Sequence, residues 1–206
     1  MLFRSKIDAK EDCLILTGSD SDVSIQTKLT KSEECVLEIR DMGSIVIEAK
    51  YILEIVRKID ADEIEFEMID GSLTKISGNT AEFRINGMRA NEYPAIDFSK
   101  PKECFALKEE TLKKVILQTS FATSDKETRP VLTGVNFHCE GNTLHCVATD
   151  SYRLAKKTID ISESLNFNIT IPAKSLSEVV KTLEGEGEVE IAVRSEEHTS
   201  ELQSLS

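Results

Sequence analysis

No apolar run in this sequence approaches the roughly 20 residues needed to span a bilayer, and the first residues lack the charged and apolar blocks of a secretory signal. Both absences point to a cytoplasmic chain with no membrane partner. There is no CxxC pair either. The five cysteines, Cys13, Cys35, Cys104, Cys139 and Cys146, are odd in number and stand mostly in alternating apolar segments, which reads as reduced core residues rather than a zinc site. Positive charge is short, with 25 Lys and Arg against 37 Asp and Glu, and a net charge of -12 argues against a surface that coats nucleic acid generally. One localised basic face stays compatible with that balance. No P-loop, no GxGxxG in a strand-to-helix context and no GxSxG elbow is present, so neither a nucleotide enzyme nor a serine hydrolase is expected. The run Ser19-Asp20-Ser21-Asp22 lacks the glycine and distal glutamate of a calcium loop, and His145 alternates within a strand. No metal, cofactor or catalytic group is expected.

What the chain does have is a long-range repeat. Ile45-Val46-Ile47-Glu48-Ala49-Lys50 followed by Glu54-Ile55-Val56-Arg57 returns 124 residues later as Ile169-Thr170-Ile171-Pro172-Ala173-Lys174 followed by Glu178-Val179-Val180-Lys181. Glu63-Ile64-Glu65-Phe66 is echoed by Glu188-Val189-Glu190-Ile191 at offset 125, and Ser19-Asp20-Ser21 by Thr149-Asp150-Ser151 at offset 130. A period of this length is domain-sized, so the chain reads as two tandem copies of one domain.

In copy one, alternating runs at Cys13–Thr17, at Val23, Ile25 and Leu29, at Cys35–Ile39 and at Ile45–Glu48 predict half-buried strands. Ile52, Ile55, Val56 and Ile59 form a helical stripe, with Lys50, Glu54, Arg57 and Lys58 on the wet side. Strands resume at Ile64, Phe66 and Met68 and at Ala81, Phe83 and Ile85, with turn signals at Asp70-Gly71 and Asn86-Gly87. Copy two opens on a helix from Glu109 to Phe121, with stripe Leu112, Val115, Ile116 and Thr119, and Lys113, Lys114 and Gln118 facing away. A strand is expected around Val131–Phe137, others at Leu144–Ala148 and Leu154–Ile159, and a helix at Ser175–Leu183 with a capping box of Ser175 and Glu178.

Both ends look foreign to the rest. Arg194 to Ser204 resembles the in-frame translation of a sequencing-library adapter. Leu2-Phe3-Arg4-Ser5 can be coded by CTC TTC CGA TCT, whose reverse complement AGA TCG GAA GAG codes Arg194-Ser195-Glu196-Glu197. The expected organisation is therefore an adapter-like segment at 1–5, a first domain at 6–93, a linker carrying Pro94 and Pro101 at 94–104, a second domain at 105–193 and an adapter-like tail at 194–206. Aligning Leu144 with Leu14 and Phe137 with Ile7 leaves copy one without a counterpart of the first helix of copy two. Copy two has no counterpart of Ile69–Tyr93.

Leu16-Thr17-Gly18-Ser19-Asp20-Ser21-Asp22, Asn86-Gly87-Met88 with Glu92-Tyr93-Pro94, Glu127-Thr128-Arg129-Pro130-Val131-Leu132-Thr133-Gly134-Val135, and Ala148-Thr149-Asp150-Ser151-Tyr152-Arg153-Leu154-Ala155 together resemble the bacterial DNA polymerase III beta subunit, the sliding-clamp family. The resemblance covers essentially all of 6–193. It implies an α+β fold of tandem DNA-clamp domains, each with two helices packed on antiparallel sheet, the first domain lacking its front and the third absent. It also implies a non-catalytic processivity role in replication, in a homodimeric ring around duplex DNA. The replicative polymerase, the clamp loader and repair proteins would be held by short peptide motifs.

A clamp that slides needs cations that hold phosphate loosely and ignore base edges. The helix faces opposite the apolar stripes offer Lys50, Arg57, Lys58, Lys113, Lys114, Lys174 and Lys181. The resemblance adds Lys126 and Arg129 near DNA. It also makes Thr149, Ser151, Tyr152, Arg153 and Leu154 the lining of a peptide pocket, whose tyrosine, arginine stem and leucine suit an anchor residue. The alternative is a duplicated, non-enzymatic scaffold that only binds short peptide motifs through Tyr152 to Leu154.

Overall fold

The structure, a computed structural model, describes residues 4–20, 23–32, 35–99, 101, 103–126 and 128–194. It divides into two compact units, Met1–Asp97 and Phe98–Ser206. The adapter-like Leu2-Phe3 and residues 195–206 lie outside the described residues, whereas Arg4 and Ser5 begin a strand.

Unit 1 runs β1 (Arg4–Ala9), β2 (Cys13–Ser19), β3 (Ser24–Thr30), β4 (Gly43–Glu48), α1 (Ala49–Val56), β5 (Glu65–Asp70), β6 (Leu73–Gly78), β7 (Ala81–Asn86) and β8 (Met88–Arg89). One antiparallel sheet has the order β3-β2-β1-β4-β8 and a second the order β5-β6-β7. Alternation builds the first sheet: Ile7, Cys13, Thr17, Val46 and Ile47 are buried. The β2–β3 turn is closed by Asp20, whose Oδ1 accepts the Val23 N–H at 2.7 Å while its own N–H donates to the Val23 carbonyl at 3.0 Å.

Three expectations for unit 1 are corrected. Cys35–Ile39 alternates but forms no strand, because among the described residues no neighbouring strand takes up its backbone groups. The α1 stripe is only half covered: Ile52 and Ile55 are half-buried, Val56 is exposed, and Ile59 is buried but beyond the helix end. Asn86-Gly87 is not a hairpin turn. Gly87 donates its N–H to Ser72 O at 2.8 Å, and a Cβ there would lie 2.4 Å from Val46 O, so the glycine permits a close backbone approach. Asp70-Gly71 does turn the β5–β6 hairpin, with Gly71 at φ +48°.

Unit 2 runs β9 (Cys104–Lys108), α2 (Glu109–Thr119), a 3-10 turn Ser120–Ala122, another at Pro130–Thr133, β10 (Gly134–Thr149), β11 (Leu154–Pro172), α3 (Ala173–Thr182) and β12 (Glu188–Ala192). The strand expected at Val131–Phe137 starts only at Gly134, because Pro130 has no N–H for a ladder and opens a 3-10 turn. β9 pairs antiparallel with β12, and β10 with β11. β10 doubles back on itself. Seven residues of extended chain would separate His138 and His145 by about 23 Å, yet their rings stack with centroids 6.4 Å apart. The reversal falls at Gly141 (φ +61°), where the register on β11 also shifts. His138 and His145 stand 130 residues after Asp8 and Ile15, which are register partners on β1 and β2. The two halves of β10 thus repeat β1 and β2, and the two halves of β11 repeat β3 and β4.

All four stripe residues of α2, Leu112, Val115, Ile116 and Thr119, are buried, and the Thr119 hydroxyl is satisfied by donating to Val115 O at 2.7 Å. They join Phe105, Val135, Phe137, Cys139, Leu144, Cys146 and Leu176 in one core, each large aliphatic contributing about 1.5–3 kcal/mol by burial. All three α-helices follow a strand without a break. Their N-cap residues, Glu48, Lys108 and Pro172, are extended (ψ 124°, 136° and 134°), and none has a side-chain cap. The capping box is therefore corrected: Ser175 lies inside the first turn, and Glu178 accepts from Lys181 Nζ at 2.7 Å. Burial also fits the reading of the thiols. Cys13, Cys139 and Cys146 are buried, Cys35 and Cys104 half-buried, and all five are free.

Candidate nucleic-acid interface and peptide-binding turn

The helix periodicity sorts the candidate cations into pairs. Lys50 and Arg57 lie seven residues apart on α1 and at its C-cap, and Lys174 and Lys181 lie seven apart on α3, so each pair shares a helix face. The two pairs occupy equivalent positions of the repeat, 124 residues apart. All four side chains are exposed, as is Lys58. On α2, Lys114 is exposed and Lys113 half-buried. Because α2 packs against α3, Lys113, Lys114, Lys174 and Lys181 sit on adjacent helices of unit 2.

Two of these cations are engaged. Lys114 Nζ lies 2.6 Å from Glu110, whose carboxyl is held below its usual range by that hydrogen bond and charge, and Lys181 pairs with Glu178. Exposed i,i+3 and i,i+4 pairs of this kind are weak and break readily for a competing phosphate. No ion pair between described residues engages Lys50, Arg57, Lys58, Lys113 or Lys174. Lys126 and Arg129 are exposed in the segment between α2 and β10; Glu127, from the motif between them, lies outside the described residues.

The second candidate site is the β10–β11 turn. Asp150 organises it: Oδ1 accepts the N–H groups of Tyr152 and Arg153, each at 2.9 Å, and Oδ2 accepts Arg153 Nε at 3.0 Å. The backbone N–H of Arg153, then that of Tyr152, hold its carboxyl below the usual carboxylate range. Thr149 Oγ1 donates to Arg153 O at 2.7 Å and accepts the Ser151 N–H at 3.2 Å. Ser151 adopts φ +77°, a left-handed conformation that the two flanking side-chain bonds hold in place. The result pushes apolar surface outward, with Tyr152 98% and Leu154 65% exposed. The Arg153 guanidinium lies 5.6 Å from the centre of the exposed Phe121 ring, a cation–π contact.

Thr149, Ser151, Tyr152, Arg153 and Leu154 are thus brought together in one tight turn. Sequence reasoning missed two participants. Asp150 organises the turn, and its signal was the Asp-x-x-Arg spacing of a side-chain turn. Phe121 closes α2, and nothing in the sequence distinguishes it there from a core aromatic. The metal reading of Ser19-Asp20-Ser21-Asp22 loses its main ligand, since Asp20 closes the β2–β3 turn; Ser21 and Asp22 lie outside the described residues. Among the described residues no cluster of acids, histidines and cysteines has metal-binding geometry. His145 faces Thr158, with Nδ1 3.0 Å from Oγ1, rather than Asp150 or Ser151.

Family models match nearly the whole chain: the DNA polymerase III beta subunit N-terminal domain over residues 2–97 and its central domain over residues 106–205. A beta sliding clamp of Halalkalibacterium halodurans is 42% identical over 200 residues, 94% of this chain and 53% of that protein. One of Bacillus subtilis is 42% identical over 188 residues, 89% and 50% of the two chains. The crystal structure of the DNA polymerase sliding clamp from Bacillus subtilis matches with a TM-score of 0.88 at 38% identity, covering 93% of this chain and 52% of that one. The DNA polymerase III beta chain from Streptococcus pneumoniae gives 0.85 at 32% identity, covering 93% and 52%. The chain spans about half the length of the curated relatives it matches. These likenesses do not favour the peptide-only scaffold. With two tandem units of one design, each matched in order by its own family model, the chain belongs to the DNA polymerase III beta subunit family.

Proposed function

We propose that this chain supplies the first and second domains of a DNA sliding clamp: a non-catalytic processivity subunit, acting in the cytoplasm, whose full-length form closes as a homodimeric ring around duplex DNA. The observation that carries this reading is the repeated basic pair, Lys50 with Arg57 and Lys174 with Lys181, exposed at equivalent positions of two units that share one fold. Cations on long, flexible stems hold phosphates without reading bases, which is what sliding requires. Lys58, Lys113, Lys114, Lys126 and Arg129 add to that face. A net charge of -12 keeps the attraction local and weak, so topology rather than affinity retains the protein on DNA.

The Thr149–Leu154 turn is the second working surface. Tyr152 and Leu154 offer apolar area and Arg153 a charged handle, a combination that suits short peptide motifs from the replicative polymerase, the clamp loader and repair proteins. Both surfaces are tested together by measuring the binding of two unrelated duplexes between about 20 and 200 mM salt. Weak, salt-sensitive and sequence-indifferent binding is expected. Changing Lys50, Arg57, Lys174 and Lys181 to Glu should lower the salt slope by about 1 for each phosphate no longer held. Tyr152→Ala with Arg153→Ala should leave that curve alone and abolish peptide capture. DNA binding that ignores the four charge reversals overturns the proposal.

A further inference from the structure

Two exposed features of unit 1 are covered at the same positions in unit 2. The first is an apolar cleft of about 280 Å³ between α1 and the β2–β3 edge, lined by Leu16, Gly18, Ile25, Ala49, Ile52 and Leu53. The repeat places Cys146, Ala148, Ala155 and Leu176 where Leu16, Gly18, Ile25 and Ile52 stand, and all four are buried in the core that α2 covers. Ile25 is 49% exposed where Ala155 is 8% exposed. The second feature is the outer edge of β5. All six of its residues are exposed, including Phe66, Met68 and Ile69, and among the described residues no strand pairs the edge away from β6. Its counterpart β12 is paired by β9, the strand that leads directly into α2.

We propose that the β5 edge and the α1 cleft together form a docking groove for a strand–helix segment of the β9–α2 type, supplied in trans by another polypeptide. The occupant is an alternating strand of about five residues running without a break into a helix with apolar residues at i, i+3, i+4 and i+7. Its strand adds to the β5 edge, and its stripe fills the cleft. It carries a basic residue towards the acidic edge of Glu65 and Glu67, as Lys108 stands opposite Glu188 in unit 2. Leu16 and Ile25 are larger than Cys146 and Ala155, so the groove favours a helix with a smaller residue at one stripe position. An open strand edge beside bare apolar surface is what strand addition exploits. This inference stands on the internal repeat alone and does not depend on the DNA reading.

The test uses the whole chain and fluorescein-labelled peptides of residues 104–122, one with the native sequence and one with Ile116→Ala to suit the larger walls. Saturable binding by either peptide is expected, with amide-exchange protection appearing in β5 and α1. Leu53→Glu in the protein should weaken it about ten-fold or more, and so should a peptide carrying Leu112→Asp and Val115→Asp, a control that leaves the protein unaltered. The proposal is overturned if neither peptide binds, or if the doubly charged peptide binds as well as the others. Protection confined to unit 2, or a dimer in light scattering that excludes the peptide, would overturn it too.

Discussion

Units 1 and 2 share a chassis of four strands leading into a helix, yet the helix is held very differently in each. In unit 2, α3 buries Leu176 beneath α2; in unit 1, α1 buries none of its residues. The stripes on the two helices are equally apolar in sequence, so periodicity alone does not decide burial. What decides it is whether a second layer lies across the stripe. Unit 1 also invests in a separate sheet, β5-β6-β7, that has no counterpart among the described residues of unit 2.

That comparison is most exposed to a cavity test. Ile116→Ala, at the centre of the α2 contact, should cost unit 2 about 2–5 kcal/mol, whereas Ile52→Ala in α1 should cost about 1 kcal/mol or less because its side chain is already half in water. Urea unfolding followed by amide exchange in each unit reads both, and equal costs would break the contrast. Next in size are two glycines at which the units should behave alike. A Cβ at Gly134 would lie 2.6 Å from Ile171 O and one at Gly87 2.4 Å from Val46 O, so alanine at either should cost about 1–3 kcal/mol in thermal melts. Gly18→Ala meets nothing within 4 Å and should leave the melt unchanged.

Thiol labelling sharpens the picture at smaller scale. Cys35 and Cys104 should react first, and Cys146 only as unit 2 opens. Burial pushes the Cys146 thiol up to about 12, leaving on the order of one molecule in 10,000 as thiolate at pH 8. Labelling of native Cys146 at the rate of Cys35 would show that the unit 2 core is loose. The smallest effect belongs to the Asp150 turn. Its carboxyl titrates below its ordinary 3.8, so its contribution is fully present above 3.8 and disappears as pH falls through the lower folded value. Asp150→Asn should speed amide exchange at Tyr152 and Arg153 at neutral pH, and should remove the pH dependence of that exchange in the acid range.

Much of this fold was legible because its signals were local and periodic: the stripe of α2, the alternation of β1, β2 and β4, and the repeat itself, which located both helix-leading strands. The failures have specific causes. Ser175-x-x-Glu178 satisfies the capping-box pattern, but β11 runs into α3 through Pro172, so the helix begins two residues before the serine. Cys35–Ile39 has the right alternation, but alternation cannot supply a partner strand. Asn86-Gly87 looks like a turn because sequence does not reveal that Val46 O passes within reach of a Cβ. At the candidate site, the Thr149–Leu154 segment was visible as a motif, whereas Phe121 comes beneath Arg153 only through tertiary packing. The helix cations were named from their faces, and the structure adds which of them already hold a carboxylate.

The pairing of β9 with β12 has a consequence for how the protein is made. Lys108 meets Glu188 and Cys104 meets Ala192, so the first strand of unit 2 is completed by its last, with some 80 residues between them. Closing so long a loop carries an entropic cost that local contacts cannot repay early, and such pairings form late. On the ribosome, α2 emerges with its apolar stripe exposed and waits until α3 and β12 have cleared the exit tunnel. Unit 1 forms its hairpins over short separations and faces no such delay. Nascent unit 2, rather than unit 1, is therefore the part of this chain most in need of chaperone shelter during synthesis.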